Sequence, residues 1–339
     1  MTKLWMLPLE PISMRYGEQW LKWFEERLIS RNIDYGIVKG VDLHNQNFIR
    51  TGQFLDAHVT NYWKLTQMAS VVALLENGTI KHGDKIFDFD LWHTGLEAIP
   101  YITNLTKQNI EIYGIWHAGT YDVTDYLAKE GLGKWAANYE QSIMNFVKMG
   151  FVGSGYHADI ITRSRSCNVK ITGLPLNQAD IIGNRDITKK ENIIVFTSRL
   201  SEDKNIHYYK YIKDQILKNP KYRHVRFVET HKEKLSKDEY YDLLAKSKIV
   251  LSTAEHENFG IGVIEGMTLG CTPIVPNGLS YYEYVPDDNR FDTVEQAVDL
   301  ITHVLDNYSH IAQTGSYVSK FNYSIDAMLD SMGYAGDYV

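Results

Sequence analysis

The stretch that decides the fold reads IVLSTAEHENFGIGVIEGMTLGCTPIVP and covers residues 249–276. Its first four residues, 249–252, form a short apolar run with the length of a buried β-strand. Residues 261–269 have the composition of a helix that ends before Gly270, and the apolar residues 272–275 predict a second strand. A strand, a helix and another strand in this order form a βαβ unit, which indicates a parallel sheet.

The same alternation continues on both sides of this stretch along the 339-residue chain. Apolar runs predict further strands at 4–9, 35–38, 85–90, 111–116, 150–153, 192–196 and 225–229. Amphipathic or capped segments predict helices at 18–30, 61–76, 96–106, 138–149, 207–217, 237–245 and 294–307. Strands that alternate with helices in this way indicate the α/β fold class.

A break in the pattern at residues 174–177, which read LPLN, predicts a linker between two domains. We expect an N-terminal Rossmann-like domain at 1–175 and a C-terminal Rossmann-like domain at 176–315. Residues 316–339 are expected to form a C-terminal segment that crosses back to the first domain, with a helix from 324 onward. Two doubly wound sheets in series are expected to face each other across a cleft, with a ligand at the carboxyl ends of the strands.

The composition excludes several classes of protein. Hydrophobic residues make up 44% and charged residues 23% of the chain, which is typical of a globular protein. The two cysteines, Cys167 and Cys271, are too few for a disulfide framework or a zinc site built on cysteines. The first apolar run ends at Pro8, too early for a signal peptide, and no stretch approaches the ~20 apolar residues of a membrane span. We therefore expect a cytoplasmic protein that does not insert into a membrane.

The net charge of −7 argues against a protein that coats nucleic acid by charge alone. The charge is unevenly distributed: residues 1–170 carry 17 Lys and Arg against 18 Asp and Glu, whereas residues 171–339 carry 18 against 24. A polyanion therefore approaches the first half more easily than the second. The 23 Tyr and 7 Trp residues either fill the rim of the core or offer stacking surfaces for sugars and bases.

Glycines and carboxylates in the deciding stretch predict a site for a phosphorylated sugar ligand. Gly260 and Gly262 allow a ligand to approach the backbone where the helix begins. The free N–H groups and the dipole of a helix N-terminus attract phosphate. Glu257, in the preceding loop, can bind sugar hydroxyls, and Glu265, inside the helix, can accept hydrogen bonds from a ribose diol. The alternative is a helix with two solvated glutamates and no ligand.

This stretch resembles the signature of retaining glycosyltransferases of the GT-B fold, in the group defined by Glu, seven residues and Glu. Its members commonly read E-x-F-G-x-x-x-x-E-A-M-A-x-G-x-P-V. Met267, Gly270 and Pro273 follow that pattern here, whereas Gly266 replaces an alanine. The resemblance implies two Rossmann-like domains, a nucleotide-sugar donor and a catalytic role for Glu257. It also implies a donor site that includes Glu257, Asn258, Phe259, Gly260 and Glu265.

A second similarity follows the strand predicted at 192–196. The same group commonly reads G-R-x-x-x-x-K-G there, and this chain has Arg199 and Lys204 at that spacing, with Ser198 and Asn205 in place of the glycines. Two cations at the carboxyl end of a strand can neutralise a departing diphosphate. The resemblance therefore implies that Arg199 and Lys204 bind the donor. The alternative is a pair of exposed loop cations.

Two strand ends predict contacts in the first domain. The strand at 111–116 ends in His117, and the group often has a histidine here near the transferred sugar, which implies a catalytic role; a structural histidine is the alternative. Asp88-Phe89-Asp90 spells D-x-D, the metal-binding signature of GT-A, the other glycosyltransferase fold. Two aspartates at alternate positions of a strand share one face and could bind a metal ion together with the diphosphate. The GT-B features favour acceptor contact over a metal ion, and we predict no metal cofactor.

The opening segment, residues 7–20, lacks the Gly-rich loop of ordinary members. It resembles transferases encoded by tailed bacteriophages that decorate hydroxymethylated pyrimidines in DNA. The resemblance implies that side chains of the first domain contact a phosphate and a flipped base. The acceptor-binding residues that we predict are Arg15, Tyr16, Asp90, Trp92, His93 and Ser154. Candidate cations for the phosphates are Arg15, Lys22, Lys81, Arg163 and Arg165.

The sequence therefore predicts a glycosyltransferase that moves a sugar, with retention, from a nucleotide sugar such as a UDP-sugar to a hydroxyl acceptor. The favoured acceptor is a 5-hydroxymethylpyrimidine in double-stranded phage DNA. One alternative keeps the enzyme and changes the acceptor to a glycan, a lipid or a small metabolite. A second alternative is a non-catalytic module that binds a nucleotide sugar or nucleic acid.

Overall fold

The structure, a computed structural model, describes residues 2–12, 16–43, 56–198, 202–308 and 314–335. The chain divides into two compact units. The first unit is Met1–Pro175 with Tyr323–Val339, and the second unit is Leu176–Asn322. Each unit contains a parallel sheet connected by helices, so the predicted fold class of two Rossmann-like α/β domains is confirmed.

The sheet of the first unit has six strands among the described residues: β1 (Leu4–Leu7), β2 (Tyr35–Ile37), β3 (Lys85–Asp88), β4 (Glu111–Ile115), β5 (Met149–Val152) and β6 (Val169–Ile171). Their order is β2-β1-β3-β4-β5-β6, and all pairs are parallel. The helices between them are α1 (Gly17–Ser30), α2 (Ala57–Glu76), α3 (Ala98–Thr106), α4 (Tyr126–Lys129), α5 (Gly133–Phe146) and α6 (Gly155–Ser164).

The second unit has five described strands: β7 (Glu191–Phe196), β8 (Arg226–Glu229), β9 (Ser247–Leu251), β10 (Thr272–Pro276) and β11 (Arg290–Phe291). Their order is β11-β10-β9-β7-β8, and all pairs are again parallel. The helices of this unit are α7 (Gln178–Ile182), α8 (Ile206–Lys218), α9 (Lys237–Lys246), α10 (Ile261–Thr268), α11 (Val294–Asn307) and α12 (Thr314–Val318).

A last helix, α13 (Ser324–Ser331), belongs to the first unit, where it packs against α1. The guanidinium of Arg31, just past the end of α1, is paired with the carboxylates of Asp326 and Asp330. The Arg31 Nη1–Asp330 Oδ1 distance is 2.7 Å, and the Arg31 side chain is 10% exposed. This buried pairing fixes the C-terminal helix to the unit formed by the N-terminal half of the chain.

The local sequence explains where these elements begin. β1 is buried along its whole length, as expected for a strand covered on both faces of a parallel sheet. Helix α2 begins after Asp56, whose carboxylate accepts hydrogen bonds from two backbone N–H groups of the first turn. Among the described residues, none of the helices combines the length and the apolar character needed to cross a bilayer.

The strand order places a switch point in each sheet. The chain adds β2 on one side of β1 and β3 on the other, and it adds β8 and β9 on opposite sides of β7. At such a point the loops that follow the two central strands diverge and leave a crevice at the carboxyl edge, where ligands of α/β proteins bind. In the second unit, Lys204 and Glu257 lie in the loops that follow β7 and β9. In the first unit, His117 and Ser154 instead follow β4 and β5, at the same carboxyl edge of that sheet.

Candidate functional site

Several predicted donor residues lie together at the carboxyl edge of the second sheet. Lys204 follows β7, and Glu257 lies in the loop between β9 and α10. The Lys204 ammonium donates to the Glu257 carboxylate over 3.2 Å and to the His256 carbonyl over 2.5 Å. The Lys204 side chain is only 10% exposed and that of Glu257 24% exposed, so the pair lies in a partly dehydrated site. The third predicted partner, Arg199, lies outside the described residues.

The charge state of Glu257 follows from its surroundings. Burial would raise the pKa of its carboxyl group, but Lys204 and the backbone N–H of Phe259 outweigh this effect, so the pKa is lowered. The carboxylate also accepts a hydrogen bond from the Gly260 N–H at 3.0 Å. Glu257 is therefore an anion held at the positive end of α10, where it can accept hydrogen bonds from sugar hydroxyls.

Two glycines at the N-terminus of α10 allow side chains from neighbouring elements to approach its backbone closely. Gly260, its N-cap residue, has φ +81°, and a Cβ there would lie 2.5 Å from the Tyr284 hydroxyl oxygen. A Cβ at Gly262 would lie 2.5 Å from the Thr197 hydroxyl oxygen at the end of β7. The N–H groups of Ile261 and Gly262 donate to no protein group in the described part of the chain. Free donors at a helix N-terminus, together with the helix dipole, favour the binding of an anion.

The two loop residues that follow Glu257 are buried. Phe259 is 5% exposed, and its ring packs edge-on against Phe321 at 4.8 Å between centroids. Its carbonyl accepts a hydrogen bond from the Tyr284 hydroxyl at 2.7 Å. Asn258 is 8% exposed. The Phe259 ring is therefore part of the core that fixes the loop, so any contact with a ligand uses its backbone.

Glu265 lies in a different environment from the one that we predicted. Its carboxylate is 6% exposed and accepts hydrogen bonds from three side chains of α9: Lys237 Nζ at 2.7 Å, Tyr241 hydroxyl at 2.9 Å and Tyr240 hydroxyl at 2.9 Å. These donors join α9 to α10. A ribose diol would have to share the carboxylate with them or replace one of the tyrosine hydroxyls.

In the first unit, His117 follows β4 and lies under two aromatic rings. Its imidazole is stacked with Trp20 at 5.6 Å and Tyr16 at 5.9 Å between centroids. Its Nε2 is 2.7 Å from the Phe89 carbonyl oxygen, which can only accept, so Nε2 carries the proton. Burial lowers the pKa of His117, although Asp90 opposes the effect. His117 is therefore neutral near pH 7, with Nδ1 as the acceptor nitrogen.

A lysine side chain from α2 neutralises the D-x-D segment. The ammonium of Lys64, on α2, is 2.7 Å from the Asp90 carboxylate and donates to the Trp92 carbonyl at 2.7 Å. Burial raises the pKa of Asp90, but Lys64, His117 and the backbone N–H of Trp92 together outweigh it, so the pKa is lowered. Burial raises the pKa of Asp88 well above its usual value, because Asp88 is 1% exposed. In the described parts of the chain, no three His, Cys, Asp or Glu side chains group as a metal site.

Several predicted acceptor residues already have partners in the protein. His93 is 1% exposed and its Nε2 bonds to Gln67, so it cannot reach an acceptor without a rearrangement. The Ser154 hydroxyl is the N-cap of α6, where it accepts from the His157 N–H. The Trp92 indole N–H donates to Glu140, and Asp90 is paired with Lys64. Tyr16 is half-buried on Trp20, and Arg15 lies outside the described residues.

One predicted phosphate contact, Arg165, already has partners within the protein. The Arg165 guanidinium is 12% exposed and donates to Glu140, which is fully buried, at 2.8 Å. Glu140 also accepts from the Thr120 backbone N–H and hydroxyl in the loop after His117. Arg165 is therefore a structural cation that fixes this loop, and it cannot bind a phosphate while the pair is intact.

Sequence reasoning missed the partners Lys64, Glu140 and Lys237. Lys64 and Gln67 occupy the buried stripe of α2, and two polar side chains at core-facing positions of a helix were a usable signal. Glu140 is likewise on the buried face of α5. Nothing in the sequence pairs Lys237 with Glu265, because their contact depends on how α9 packs against α10.

No family model matches this chain. A curated relative, tRNA-queuosine alpha-mannosyltransferase of Drosophila melanogaster, is 44% identical over 59 residues. That segment is 17% of this chain and 16% of the relative, so the chain spans about a sixth of the relative's length.

Solved structures resemble nearly the whole chain. Sucrose-phosphate synthase from Thermosynechococcus elongatus aligns with a TM-score of 0.63 at 11% identity, over 98% of this chain and 96% of that one. Anabaena HepE, in complex with UDP and glucose, aligns with a TM-score of 0.56 at 14% identity, over 98% and 100% of the two chains. At these identities the similarity establishes the fold, which is GT-B as predicted.

Proposed function

We propose that this protein is a glycosyltransferase that transfers a sugar, with retention, from a nucleotide sugar to a hydroxyl acceptor. The observation that carries the proposal is the anion site at the N-terminus of α10, where Lys204 and Glu257 meet. The GT-B fold supports it, as does the alpha-mannosyltransferase to which a segment is similar. UDP is the first nucleotide to test, since Anabaena HepE was solved with UDP and glucose.

The donor diphosphate is proposed to bind at the N–H groups of Ile261 and Gly262. Lys204 lies beside this site and supplies the positive charge that stabilises the diphosphate as it leaves, and Arg199 is proposed to assist it. Glu257 accepts hydrogen bonds from hydroxyls of the sugar. In this scheme Glu265 binds the ribose by exchanging one hydroxyl partner on α9 for a ribose hydroxyl.

Retention is proposed to follow from a front-face displacement. The bond from the sugar C1 to the diphosphate oxygen breaks, and the bond from C1 to the acceptor oxygen forms on the same face. The proton of the acceptor hydroxyl passes to the departing phosphate oxygen, which Lys204 and the helix N-terminus hold in place. The neutral His117 can accept a hydrogen bond from the transferred sugar at Nδ1.

A donor panel tests the activity. The protein is incubated with UDP-glucose, UDP-galactose, UDP-N-acetylglucosamine, GDP-mannose and ADP-glucose, and released nucleotide and thermal shift are measured. We expect slow hydrolysis and a raised Tm with one donor or one nucleotide. A protein that neither hydrolyses any donor nor is stabilised by any nucleotide would contradict the proposal.

The proposed acceptor is a 5-hydroxymethylpyrimidine in DNA. The nearly balanced charge of residues 1–170 and the aromatic residues around the carboxyl edge of the first sheet support it. The similarity of a segment to an enzyme named for a tRNA nucleoside also favours a nucleic-acid acceptor. A base inside a duplex must be flipped out at a cost of a few kcal/mol before it can react.

The acceptor is tested separately from the donor. DNA that contains hydroxymethylcytosine or hydroxymethyluracil is incubated with the protein and the donor panel, and the digested nucleosides are analysed by mass spectrometry. We expect the mass of one hexose or pentose on the modified nucleoside and none on unmodified DNA. Transfer to a glycan or lipid with none to DNA would reject this acceptor and leave the donor site standing.

A further inference from the structure

Three aromatic side chains form a cluster at the carboxyl edge of the first sheet, with two rings stacked and the third tilted by about 55° to them. We call Trp92, Trp135 and Tyr139 the aromatic platform. The rings of Trp135 and Tyr139 are parallel within 2° with centroids 5.6 Å apart, and Trp92 lies 5.0 Å from Tyr139. Trp92 follows β3, and the other two lie in the first half of α5, which begins at the same edge. The platform is therefore next to the predicted acceptor residues.

The inner part of the platform is held rigidly. The Tyr139 hydroxyl donates to the His93 carbonyl at 2.5 Å, and the Trp92 indole N–H donates to the buried Glu140 at 3.0 Å. The outer member, Trp135, is 63% exposed. A large indole exposed to this extent on a fixed aromatic support offers a stacking surface for a planar ligand, at little cost in conformational entropy.

The charge around Trp135 indicates what kind of ligand fits. Lys129 and Lys134, which precede Trp135 by six residues and one residue in the sequence, are exposed. Neither forms an ion pair among the residues described. Glu130 is the one acidic residue in the segment 129–135, so the local balance is positive. A neutral sugar ring needs only the indole, whereas a nucleotide uses both the aromatic face and the unpaired ammonium groups.

We propose that the aromatic platform binds a nucleotide of the nucleic-acid acceptor, with the base stacked on Trp135 and a phosphate against Lys129 or Lys134. The inference rests on the proposed function, because it gives the acceptor side of that reaction a specific contact. The site recognises an unstacked base, such as one in single-stranded DNA or beside a flipped nucleotide. Trp135 contacts the π-face that every base has, so the site has little preference for sequence.

The test is a binding measurement that needs no turnover. Fluorescence anisotropy is followed for a 5′-fluorescein-labelled 12-nucleotide single strand and for the same strand with abasic sites. We expect Trp135→Ala to weaken binding of the normal strand about tenfold and Trp135→Phe about twofold, with little effect on the abasic strand. Lys129→Gln with Lys134→Gln should lower the slope of log K against log salt by about 0.7 per lysine.

Matched controls are Tyr101→Ala, an aromatic residue that is 70% exposed on α3, and Lys107→Gln, an exposed cation of the same unit. Both should bind like the unchanged protein. Equal binding by Trp135→Ala, or tight binding of neutral oligosaccharides in place of the strands, would overturn the inference. Donor hydrolysis by the unchanged protein separates the two proposals, because its absence would count against the proposed function alone.

Discussion

Replacing Lys204 with methionine is the most informative perturbation of the donor site. The methionine keeps most of the volume of the side chain, which is 10% exposed, and removes the charge beside the N-terminus of α10. If Lys204 stabilises the leaving diphosphate, kcat for donor hydrolysis or transfer should fall about 10²- to 10³-fold, the loss seen when one donor to a developing anion is removed. The KM for the donor should change much less.

Lys204 also holds Glu257, and this second role has to be separated from the first. At the 3.2 Å distance between their charged atoms, the Coulomb attraction is about 5 kcal/mol for an effective dielectric constant of about 20. Desolvation offsets much of it, so we expect a coupling of about 0.5–3 kcal/mol in a double-mutant cycle with Glu257→Gln. The assay measures kcat, KM and Tm for the two single variants and the double variant.

The cycle distinguishes the two roles. If Lys204 acts only by holding Glu257, the double variant will be as active as Glu257→Gln alone, and the proposed contact with the diphosphate is refuted. If Lys204 touches the diphosphate, the double variant will be slower than Glu257→Gln. Lys218→Met, which removes an exposed cation at the end of α8, is the matched control and should leave kcat unchanged.

Three further outcomes are expected. EDTA should leave most activity intact, because Lys64 already neutralises Asp90; loss that manganese or magnesium restores would contradict this. Arg165→Met should lower the free energy of unfolding in urea by about 3–5 kcal/mol, since it leaves the buried Glu140 carboxylate without its cation; a loss under 1 kcal/mol would count against the pairing. Burial lowers the pKa of His93 to about 3. Between pH 6.5 and that value, His93 is therefore protonated in the unfolded chain and neutral in the folded protein. Stability should therefore fall there by about 1.4 kcal/mol per pH unit, and His93→Gln should remove this contribution; parallel pH curves for the two proteins would exclude it.

The fold could be predicted closely where local signals are strong. The unit at 249–276 was expected as strand 249–252, helix 261–269 and strand 272–275. The structure has β9 at Ser247–Leu251, α10 at Ile261–Thr268 and β10 at Thr272–Pro276. Gly260 and Gly270, both with φ +81°, bound the helix and can be recognised from sequence.

Other elements could not be predicted because their signals are weak or misleading. The edge strand β6 is three residues long and mostly exposed, so it lacks an apolar run. The strand expected to reach residue 90 ends at Asp88, whose carboxylate accepts the Asp90 N–H and turns the chain. Helix α5 begins at Gly133, five residues before the predicted start, because a glycine is a weak signal for the start of a helix.

The candidate site could be predicted in its backbone features and less well in its side-chain partners. The glycines and Glu257 lie at the N-terminus of α10 because their spacing is local. The partners of Asp90, Glu265 and Arg165 come from other helices, 24 or more residues away in sequence. Such pairs depend on tertiary packing, which a single sequence does not encode in any short pattern.

The most direct test of the central claim follows the backbone amides of Ile261 and Gly262 during a titration with UDP. These N–H groups are proposed to receive the diphosphate of a nucleotide sugar. In TROSY spectra of the ¹⁵N-labelled protein, both signals should shift in proportion to the bound fraction. If the donor panel identifies GDP or ADP as the preferred nucleotide, that nucleotide is titrated in place of UDP. Saturable binding of a nucleoside diphosphate that leaves both signals in place would contradict the account.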